Sequence, residues 1–367
     1  MTIKKICVPI VNRTNYSKLK PILTYLKNNS SIKIEIVASS ALVVDRIGDA
    51  IKDIERDAFI IKQKIECLMM NDTLDAMVQS SGVSLIQHAS FYANSRPDTL
   101  LLVGDRFDIF PAVWAAKVMN IPIFHLQGGE RSGCVDDTVR DLISICADRH
   151  YVATQKAYDK VMSIAHVKNI FHVGCPAVEY IQSLSVGEYL DVSTFSKKYK
   201  KSFGIKPYEK YAVVVLHPNT TQDNDVDMSL LLECVLAGGM KCVVLYPNID
   251  AFYNKILDSI RPYSSQLICV KHMPLSDYAK LMAHATYFIG NSSSGIRETA
   301  SFGIPTINVG TRQENRERNK NTLDCNGDKD SINHAICWAL TADKFQSENI
   351  YFKENCSKHI CENILWK

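Results

Sequence analysis

A run of small polar residues, Gly290-Asn-Ser-Ser-Ser-Gly-Ile-Arg-Glu298, follows an apolar segment and opens a helical pattern. The first turn of a helix presents free N–H groups and a partial positive charge, which both favour a phosphate. Ser292 and Ser293 add hydroxyl donors, and the Glu298 carboxylate can accept both hydroxyls of a ribose. The run predicts a nucleotide site, although a capped helix after a tight turn also explains it. Its spacing is neither that of a P-loop nor that of GxGxxG.

Two other predicted strands end in a cationic or titratable side chain. Arg13 lies in the segment Asn12–Lys18, which also contains Ser17, and its guanidinium can donate two parallel hydrogen bonds to a phosphate. The simpler explanation of this segment is a solvated helical turn. His217, in His217-Pro-Asn-Thr-Thr221, can donate to a phosphate or transfer a proton, although a lone histidine at a strand end is more often structural.

Carboxylates follow a third strand and flank a glycine-rich loop. Asp105 and Asp108 lie on either side of Arg106, and Asp136 follows the loop 128–133. Carboxylates at strand ends are candidates for acid–base chemistry, or they cap the next helix. A loop that closes over a ligand needs glycines, although an ordinary turn needs them too.

The elements that must position these residues are buried apolar strands alternating with helices, a pattern typical of parallel sheets covered on both faces. The predicted strands are Ile6–Val11, Ile32–Val37, Thr99–Val103, Ile121–Leu126 and His150–Val152 in the first half, and Tyr211–Leu216, Cys242–Tyr246, Leu267–Val270, Tyr287–Ile289 and Thr306–Val309 in the second. This pattern predicts an α/β protein with two Rossmann-like domains facing a central cleft. We expect ligands beyond the carboxyl ends of the strands.

The domain limits follow from a polar, Lys-rich segment, Ser183–Pro207, between the two halves. We expect an N-terminal domain over residues 1–183, which would hold the sugar, and a C-terminal nucleotide-binding domain over 205–350. We expect the tail, 351–367, to pack back on the first domain, because Ile360 and Ile364 are apolar at a helical spacing.

Composition excludes several classes of function. The 367 residues are 46% hydrophobic and carry a net charge of +3 with both signs mixed, whereas a nucleic-acid binder concentrates its basic residues. The one dense basic run, Lys197–Lys201, is typical of a solvated surface. No apolar stretch is long enough to span a membrane, no signal peptide is evident, and the Cys and His spacings match no metal site. We therefore expect a cytoplasmic protein without a metal and without a membrane or nucleic-acid partner.

Taken together, these segments resemble the UDP-N-acetylglucosamine 2-epimerase family. The resemblance is closest to its hydrolysing branch, which includes the epimerase half of the animal epimerase/ManNAc kinase. The similar stretches are NRTNYSKL (12–19), GDRFD (104–108), GGERSGCVDD (128–137), HPNTT (217–221), YPNIDA (246–251) and most of 270–316. They occur in the family's order from about residue 3 to 320. The resemblance implies the two-domain GT-B fold.

The resemblance also implies a reaction and a set of residues. Members cleave the anomeric C–O bond of UDP-GlcNAc through a 2-acetamidoglucal, and the hydrolysing branch adds water to give ManNAc, which leads to sialic acids. No cofactor is needed, and a homodimer or homotetramer is expected. Asp105 and Asp136 would be the acid–base residues, and His217 would contact the diphosphate or help UDP to leave. The residues implied to bind UDP are Arg13, Ser17, Arg106, Asn248, Ser292, Ser293, Glu298 and Arg312.

Three positions depart from the family pattern. Asn15 stands where Asp is usual, Asp141 where close relatives have His, and Gln127 where they have a Glu that takes part in proton transfer. An amide cannot titrate, so the loss at Gln127 bears on catalysis. Three hypotheses remain open: a hydrolysing 2-epimerase, a related enzyme for a modified sugar such as a diacetamido sugar nucleotide, and a GT-B glycosyltransferase or nucleotide-sugar sensor. Retention of Asp105 and Asp136 favours an epimerase.

Overall fold

The computed structural model describes residues 3–44, 50–166, 169–200, 202–221, 226–346 and 348–365. The chain divides into two compact units. Unit 1 comprises Met1–Glu130, Val135–Tyr180 and Tyr351–Lys367, and unit 2 comprises Arg131–Cys134 and Ile181–Ile350. Unit 2 thus includes seven residues from the range that we expected in the first domain, Arg131–Cys134 and Ile181–Ser183, and also the segment that we expected to be a linker. None of the described helices combines the length and the apolar character that crossing a membrane requires.

Unit 1 is a seven-stranded parallel sheet with helices on both faces, in the order β3-β2-β1-β4-β5-β6-β7. Its elements are β1 (Lys4–Ile10), α1 (Arg13–Lys27), β2 (Ile32–Ser39), α2 (Ala50–Arg56), β3 (Ile61–Ile65), α3 (Leu74–Ser95), β4 (Thr99–Val103), α4 (Phe110–Val118), β5 (Ile123–Leu126), α5 (Asp136–Cys146), β6 (Arg149–Val152), α6 (Gln155–Ile164), β7 (Ile170–His172), α7 (Pro176–Gln182) and α14 (Cys356–Leu365).

Side-chain alternation along the strands builds two hydrophobic layers in unit 1. Ile6, Val8 and Ile10 of β1 pack in the layer that also contains α1. Cys7 packs in the opposite layer, with residues of α3, α4 and α5. The C-terminal helix α14 joins the first layer, where Ile360 and Ile364 are fully buried.

Unit 2 is a six-stranded parallel sheet in the order β10-β9-β8-β11-β12-β13. Its elements are α8 (Val192–Tyr199), β8 (Tyr211–Val215), α9 (Met228–Ala237), β9 (Lys241–Leu245), α10 (Tyr253–Ile260), β10 (Leu267–Val270), α11 (Leu275–Ala283), β11 (Tyr287–Gly290), α12 (Ser293–Arg297), β12 (Thr306–Val309), β13 (Thr322–Cys325) and α13 (Lys329–Thr341). Helix α8 lies within the expected linker. Its Phe195 is buried in the core of unit 2, and its Lys198 pairs with Asp277 at 2.5 Å.

Three histidines are fully buried in unit 1. Burial lowers the pKa of His88 and His125 to about 4 and that of His150 to about 3, since desolvation disfavours the charged ring. His88 Nδ1 donates to the Ser84 carbonyl and His125 Nε2 donates to the Gly104 carbonyl. Neither ring nitrogen of His150 has a hydrogen-bond partner among the described residues. These rings are therefore neutral in the native state at neutral pH.

We expect the stability of the protein to fall between pH 7.5 and 5.5. Below pH 6.5 the unfolded chain binds protons at these positions and the native chain does not, so acid favours unfolding by up to about 1.4 kcal/mol per pH unit for each ring. His150→Leu should remove one ring's share of this slope, because the ring makes no hydrogen bond that is lost. Urea unfolding at both pH values measures the slope. The exposed His359 gives the control His359→Leu, and an unchanged slope in His150→Leu would contradict the prediction.

Candidate functional site

Three neighbouring strands of unit 1 end in the polar residues singled out from the sequence. Arg13 begins α1 directly after β1, Asp105 follows β4, and Gln127 follows β5. The sheet order places β1, β4 and β5 side by side, and parallel strands end at one edge. These three predicted site residues therefore lie along the carboxyl edge of the sheet of unit 1. Ser17, one turn into α1, donates its hydroxyl to the carbonyl of Arg13 at 3.0 Å.

Arg140 of α5 organises the carboxylates of this edge. Its side chain is 1% exposed, and its Nε donates to Asp105 Oδ2 at 3.0 Å, with a second donation from Nη2 to the same oxygen. Its Nη1 donates to the carbonyl of Glu130 and to Asp137 Oδ1, both at 2.5 Å. The Asp105 carboxylate remains 24% exposed. A buried guanidinium thus fixes a carboxylate that solvent can reach, as a positioned acid–base group requires.

Arg106 and Asp108 form a separate pair. Arg106 Nε lies 3.3 Å from Asp108 Oδ1, and Asp108 also accepts from Ser40 Oγ at 2.9 Å. Asp108 is only 3% exposed. This burial and pairing suit a residue that orients Arg106, so of the two carboxylates flanking Arg106 we retain only Asp105 as an acid–base candidate.

Gln127 has an unusual backbone conformation and a buried side chain. Its φ of +67° lies in the left-handed region, and its exposure is 3%. Its backbone N–H donates to the Tyr151 carbonyl at 2.8 Å, and its Nε2 donates to Cys175 Sγ at 3.2 Å. A glutamate carboxylate could not make this donation, so the amide matches its thiol neighbour.

The other two departures from the family pattern have different surroundings. Asn15 is buried, and its Nδ2 donates to the Val103 carbonyl at 3.0 Å while its Oδ1 accepts from the Val11 N–H at 3.3 Å. It therefore ties the ends of β1 and β4 together, and an aspartate would lack the donor. Asp141 is partly exposed and lies 3.8 Å from Lys160. Asp136, an acid–base candidate, is the first residue of α5.

The glycine-rich segment after Gln127 is divided between the units. Arg131–Cys134 belongs to unit 2, where the Asn315 N–H donates to the Ser132 carbonyl at 3.1 Å. Gly133 has a φ of +121°, and a Cβ there would lie 2.7 Å from the Thr311 carbonyl. The close approach of two backbones therefore requires a glycine at position 133. This is a structural reason for the glycine, in addition to the loop mobility expected from the sequence.

In unit 2, His217 is held at the end of β8. Its backbone N–H donates to Asn291 Oδ1 at 2.7 Å, and its carbonyl accepts from Asn291 Nδ2 at 2.8 Å. The backbone N–H of Asn248 donates to His217 Nδ1 at 3.0 Å. Because Nδ1 accepts this bond, the neutral ring carries its proton on Nε2 and can donate it to a ligand. Asn248, implied to touch UDP, thus positions the histidine through its backbone.

Asn291 also connects β11 to the loop after β12. Its carbonyl accepts from Arg312 Nη1 at 3.1 Å and from Gln313 Nε2 at 3.3 Å. The preceding Gly290 has a φ of +147°, and a Cβ there would overlap the Val215 carbonyl. The glycine lets β11 run against β8 at this point. The four strands β9, β8, β11 and β12 are neighbours, so their end residues lie along one edge.

The serines begin a shorter helix than the sequence suggests. Helix α12 comprises only Ser293–Arg297, with Ser292 at its N-cap and Glu298 at its C-cap. Ser292 accepts from the Ser294 N–H at 3.4 Å, and Glu298 is 6% exposed. A five-residue helix has a small dipole, so the N–H groups and hydroxyls matter more here than the helix field that we expected to contribute.

Sequence reasoning missed Arg140, Asn291 as a positioning residue, and Gln313. Arg140 lies mid-helix, where a single arginine looks like a solvated surface residue. Its sequence signal is indirect, since it lies one turn after Asp137 on a helix that follows a glycine-rich loop. Gln313 lies in the GTRQ stretch (310–313) that resembles the family, but no role was predicted for it.

The chain matches the model of the family described as UDP-N-acetylglucosamine 2-epimerase over residues 24–365. It is 29% identical over 354 residues to a UDP-N,N'-diacetylbacillosamine 2-epimerase (hydrolyzing) of Legionella pneumophila, covering 95% of this chain and 92% of the relative. It is 26% identical over 352 residues to a UDP-N-acetylglucosamine 2-epimerase of Neisseria meningitidis serogroup B, covering 95% and 90%.

A crystal structure of a UDP-GlcNAc 2-epimerase from Neisseria meningitidis, bound to UDP-GlcNAc, has a TM-score of 0.80 with this chain. The match covers 98% of this chain and 99% of that one at 14% identity. This similarity and the two parallel sheets confirm the expected α/β fold with two Rossmann-like domains of the GT-B type. Since the family model spans nearly the whole sequence, the chain belongs to the UDP-N-acetylglucosamine 2-epimerase family.

Proposed function

We propose that this protein is a hydrolysing 2-epimerase that converts a UDP-2-acetamido sugar and water into UDP and the free 2-epimeric sugar. The observation that carries the proposal is the solvent-accessible Asp105 carboxylate fixed by the buried Arg140, in a member of this family. The proposal assigns the sugar to the residues of unit 1, and the UDP to those of unit 2 together with Arg13, Ser17 and Arg106.

The proposed reaction begins with an elimination. The C2–H bond breaks as a carboxylate accepts the proton, the C1–O bond breaks with its electron pair leaving on UDP, and a C1=C2 double bond forms. The C2 proton is not activated by a carbonyl, so positive charge must develop at C1. A nearby carboxylate stabilises that charge. Asp105 and Asp136 are the proposed acid–base groups. Water then adds its hydroxyl to C1 while C2 receives a proton on the opposite face.

Departure of UDP needs stabilisation of the charge on its diphosphate. His217 suits this role, because its Nδ1 accepts from Asn248 and its Nε2 is left as the donor. Arg312 donates to the Asn291 carbonyl, and Ser292 and Ser293 directly follow Asn291 in the sequence. Arginine and hydroxyl donors at the end of neighbouring strands fit a diphosphate, and the Glu298 carboxylate fits a ribose.

UDP-GlcNAc is the first candidate substrate. The second is UDP-N,N'-diacetylbacillosamine, the sugar nucleotide in the name of the Legionella relative. The neutral amide of Gln127 could hydrogen-bond to an altered substituent of the sugar, which would favour the second candidate. It is also compatible with slow turnover of UDP-GlcNAc, because the amide cannot transfer a proton. In the hydrolysing branch UDP-GlcNAc gives ManNAc, and a sialic-acid pathway would then consume that product.

Incubation with each sugar nucleotide in D₂O, followed by NMR, tests the proposal. We expect free UDP and a 2-epimeric free sugar with deuterium at C2. Free sugar without deuterium would indicate simple hydrolysis, and transfer of the sugar to an acceptor would indicate a glycosyltransferase. A UDP-sugar product would mean that the non-hydrolysing reaction occurs.

We expect Gln127→Glu to raise kcat on UDP-GlcNAc by at least about tenfold, because it restores a titratable group where one contributes 10²–10⁴-fold. The carboxylate loses the donation to Cys175, so a stability loss of about 1–3 kcal/mol should accompany the change. Steady-state kinetics and urea unfolding measure the two effects. If UDP-GlcNAc turnover stays at background while binding of the diacetamido nucleotide weakens, the second candidate substrate is favoured.

We expect Glu298→Ala to weaken UDP binding by at least about tenfold, because two charge-assisted hydrogen bonds to ribose hydroxyls would be lost. Titration calorimetry with UDP measures the change. Glu233→Ala, at an exposed position on α9, is the matched control and should bind UDP like the parent. If Glu298→Ala also binds UDP like the parent, the ribose site is elsewhere.

A further inference from the structure

A groove opens at the amino edge of the sheet of unit 1, on the face that packs against α3. It has a volume of about 520 Å³ and is lined by residues near the start of β1, β2 and β3 and by the C-terminal turns of α3. Ligand pockets in proteins usually measure about 300–1,000 Å³. We call this the amino-edge groove, and its lining includes Lys5, Lys33, Glu35, Lys62, Phe91 and Asn94.

The amino-edge groove is separate from the candidate functional site. The candidate site residues of unit 1 follow the carboxyl ends of β1, β4 and β5, whereas Lys5 lies at the start of β1. Strand β1 has seven residues and spans about 20 Å, at roughly 3.3 Å per residue. A ligand in the groove would therefore not occupy the acid–base edge.

Three lysines line the groove from neighbouring strands. Lys5 and Lys33 are register partners on β1 and β2, and side-chain alternation puts both on the face of Cys7, which packs against α3. Lys62 of β3 adds a third ammonium. Like charges on neighbouring strands repel, so the arrangement costs stability unless an anion lies among them. Lysines on an edge strand such as β3 discourage pairing with another sheet, but β1 and β2 are inner strands, to which this explanation does not apply.

A buried carboxylate in the lining holds these lysines. Glu35 is 2% exposed, its Oε1 lies 3.0 Å from Lys33 Nζ, and its Oε2 accepts from Ser95 Oγ. Lys5 Nζ donates to the Ser95 carbonyl at 2.9 Å, which offsets the partial negative charge at the C-terminal end of α3. The charged side chains of the lining, three ammoniums and one carboxylate, have a net charge of +2. This charge matches a phosphate monoester, which carries about −1.5 to −2 at neutral pH.

The neutral part of the lining suits a hydroxylated ligand. Gln87 and Asn94 contribute exposed amides, Ser90 contributes a hydroxyl, and the ring of Phe91 is only partly buried. Amides and hydroxyls both donate and accept hydrogen bonds, as several sugar hydroxyls require. An aromatic ring adds apolar surface against which the C–H face of a sugar can pack.

We propose that the amino-edge groove binds a hexose phosphate, with the phosphate at the three lysines and the sugar at the polar side chains and the ring contributed by α3. Lysine binds phosphate as a point charge, and three lysines from three strands surround one such group. A carboxylated sugar carries a smaller charge and a neutral sugar carries none, so affinity for the groove should follow the charge of the ligand. This site is independent of the proposed reaction, because it lies at the other end of the strands.

Titration calorimetry of the full chain with glucose 6-phosphate, in the presence of saturating UDP, tests for this site. UDP occupies any diphosphate site, so the heat that remains reports a second one. We expect a Kd below about 1 mM for glucose 6-phosphate, and binding at least about tenfold weaker for glucuronate, glucose and inorganic phosphate. Absence of binding by glucose 6-phosphate at millimolar concentration would overturn the proposal. Inorganic phosphate that bound as tightly as glucose 6-phosphate would overturn the assignment of a sugar.

Two variants locate the binding in the groove. Lys62→Glu and Lys33→Gln should each weaken binding of glucose 6-phosphate by at least about tenfold, because a charge-assisted hydrogen bond to phosphate is lost. Lys62 is exposed, and glutamine at position 33 keeps a donor for Glu35, so both variants should fold; circular dichroism and the melting temperature check this. Lys64→Glu, on the same strand but outside the groove, is the matched control and should bind like the parent. Parent-like binding in both groove variants, or an equal loss in Lys64→Glu, would place the ligand elsewhere and overturn the proposal.

Discussion

Asp105→Asn is expected to lower kcat by about 10²–10⁴-fold, the usual contribution of a positioned acid–base group. Asparagine has nearly the same shape and keeps an oxygen that can accept from Arg140, so the fold should persist. The amide cannot accept the C2 proton or stabilise positive charge at C1. Kinetics on the substrate identified by NMR measure the loss.

UDP affinity separates this chemical role from a structural one. Asp105 is assigned to the sugar, so calorimetry should find UDP binding within about twofold of the parent, a difference well below 1.4 kcal/mol. Asp148→Asn, which changes an exposed carboxylate of unit 1, is the control and should alter neither quantity. If turnover and UDP affinity fell together in Asp105→Asn, a folding role would replace the catalytic one.

Arg140→Met should destabilise the protein by about 3–5 kcal/mol, because it removes a buried cation and leaves its anionic neighbours uncompensated. Arg140 has a 1% exposed side chain and binds Asp105, Asp137 and the Glu130 carbonyl. Methionine fills a similar apolar volume but supplies no donor. Urea unfolding measures the loss of stability, and kcat should fall as well, because Asp105 is no longer held.

Arg140→Lys keeps the positive charge and tests whether the several donors of the planar guanidinium are needed. One ammonium cannot reach all three acceptors with the geometry of a guanidinium. The stability of Arg140→Lys should therefore lie between that of Arg140→Met and that of the parent. Its kcat should remain well below the parent value, because Asp105 loses its fixed orientation. Parent-like stability in Arg140→Met would show that Arg140 does not hold this edge together.

The sequence predicted the central strands and missed most of the sheet edges. β4, β10 and β12 were predicted with the bounds that the structure has, because all three are short runs built mostly of Ile, Leu, Val and Thr. The strands β3, β7 and β13 were missed. β3 is Ile-Lys-Gln-Lys-Ile with an exposed middle, and such edge strands carry little of the apolar signal on which the prediction depends.

For the candidate site, too, the sequence predicted one part of the arrangement and missed another. The sequence determined which side chains stand after strands, because a strand's end and a polar motif are both local, and it determined the family through motifs in a fixed order. It also identified Gln127 as the group that cannot titrate, since this follows from residue type alone.

Only the tertiary structure decided which groups touch. Arg140 is 35 positions from Asp105, and Asn291 is 74 from His217, and no local pattern encodes either contact. The same holds for the choice between Asp105 and Asp108, two carboxylates three positions apart, of which one remains accessible and the other is buried against Arg106 and Ser40. Residue type and spacing fix the available chemistry, whereas burial and partners, which depend on distant segments meeting, decide which group is free to perform it.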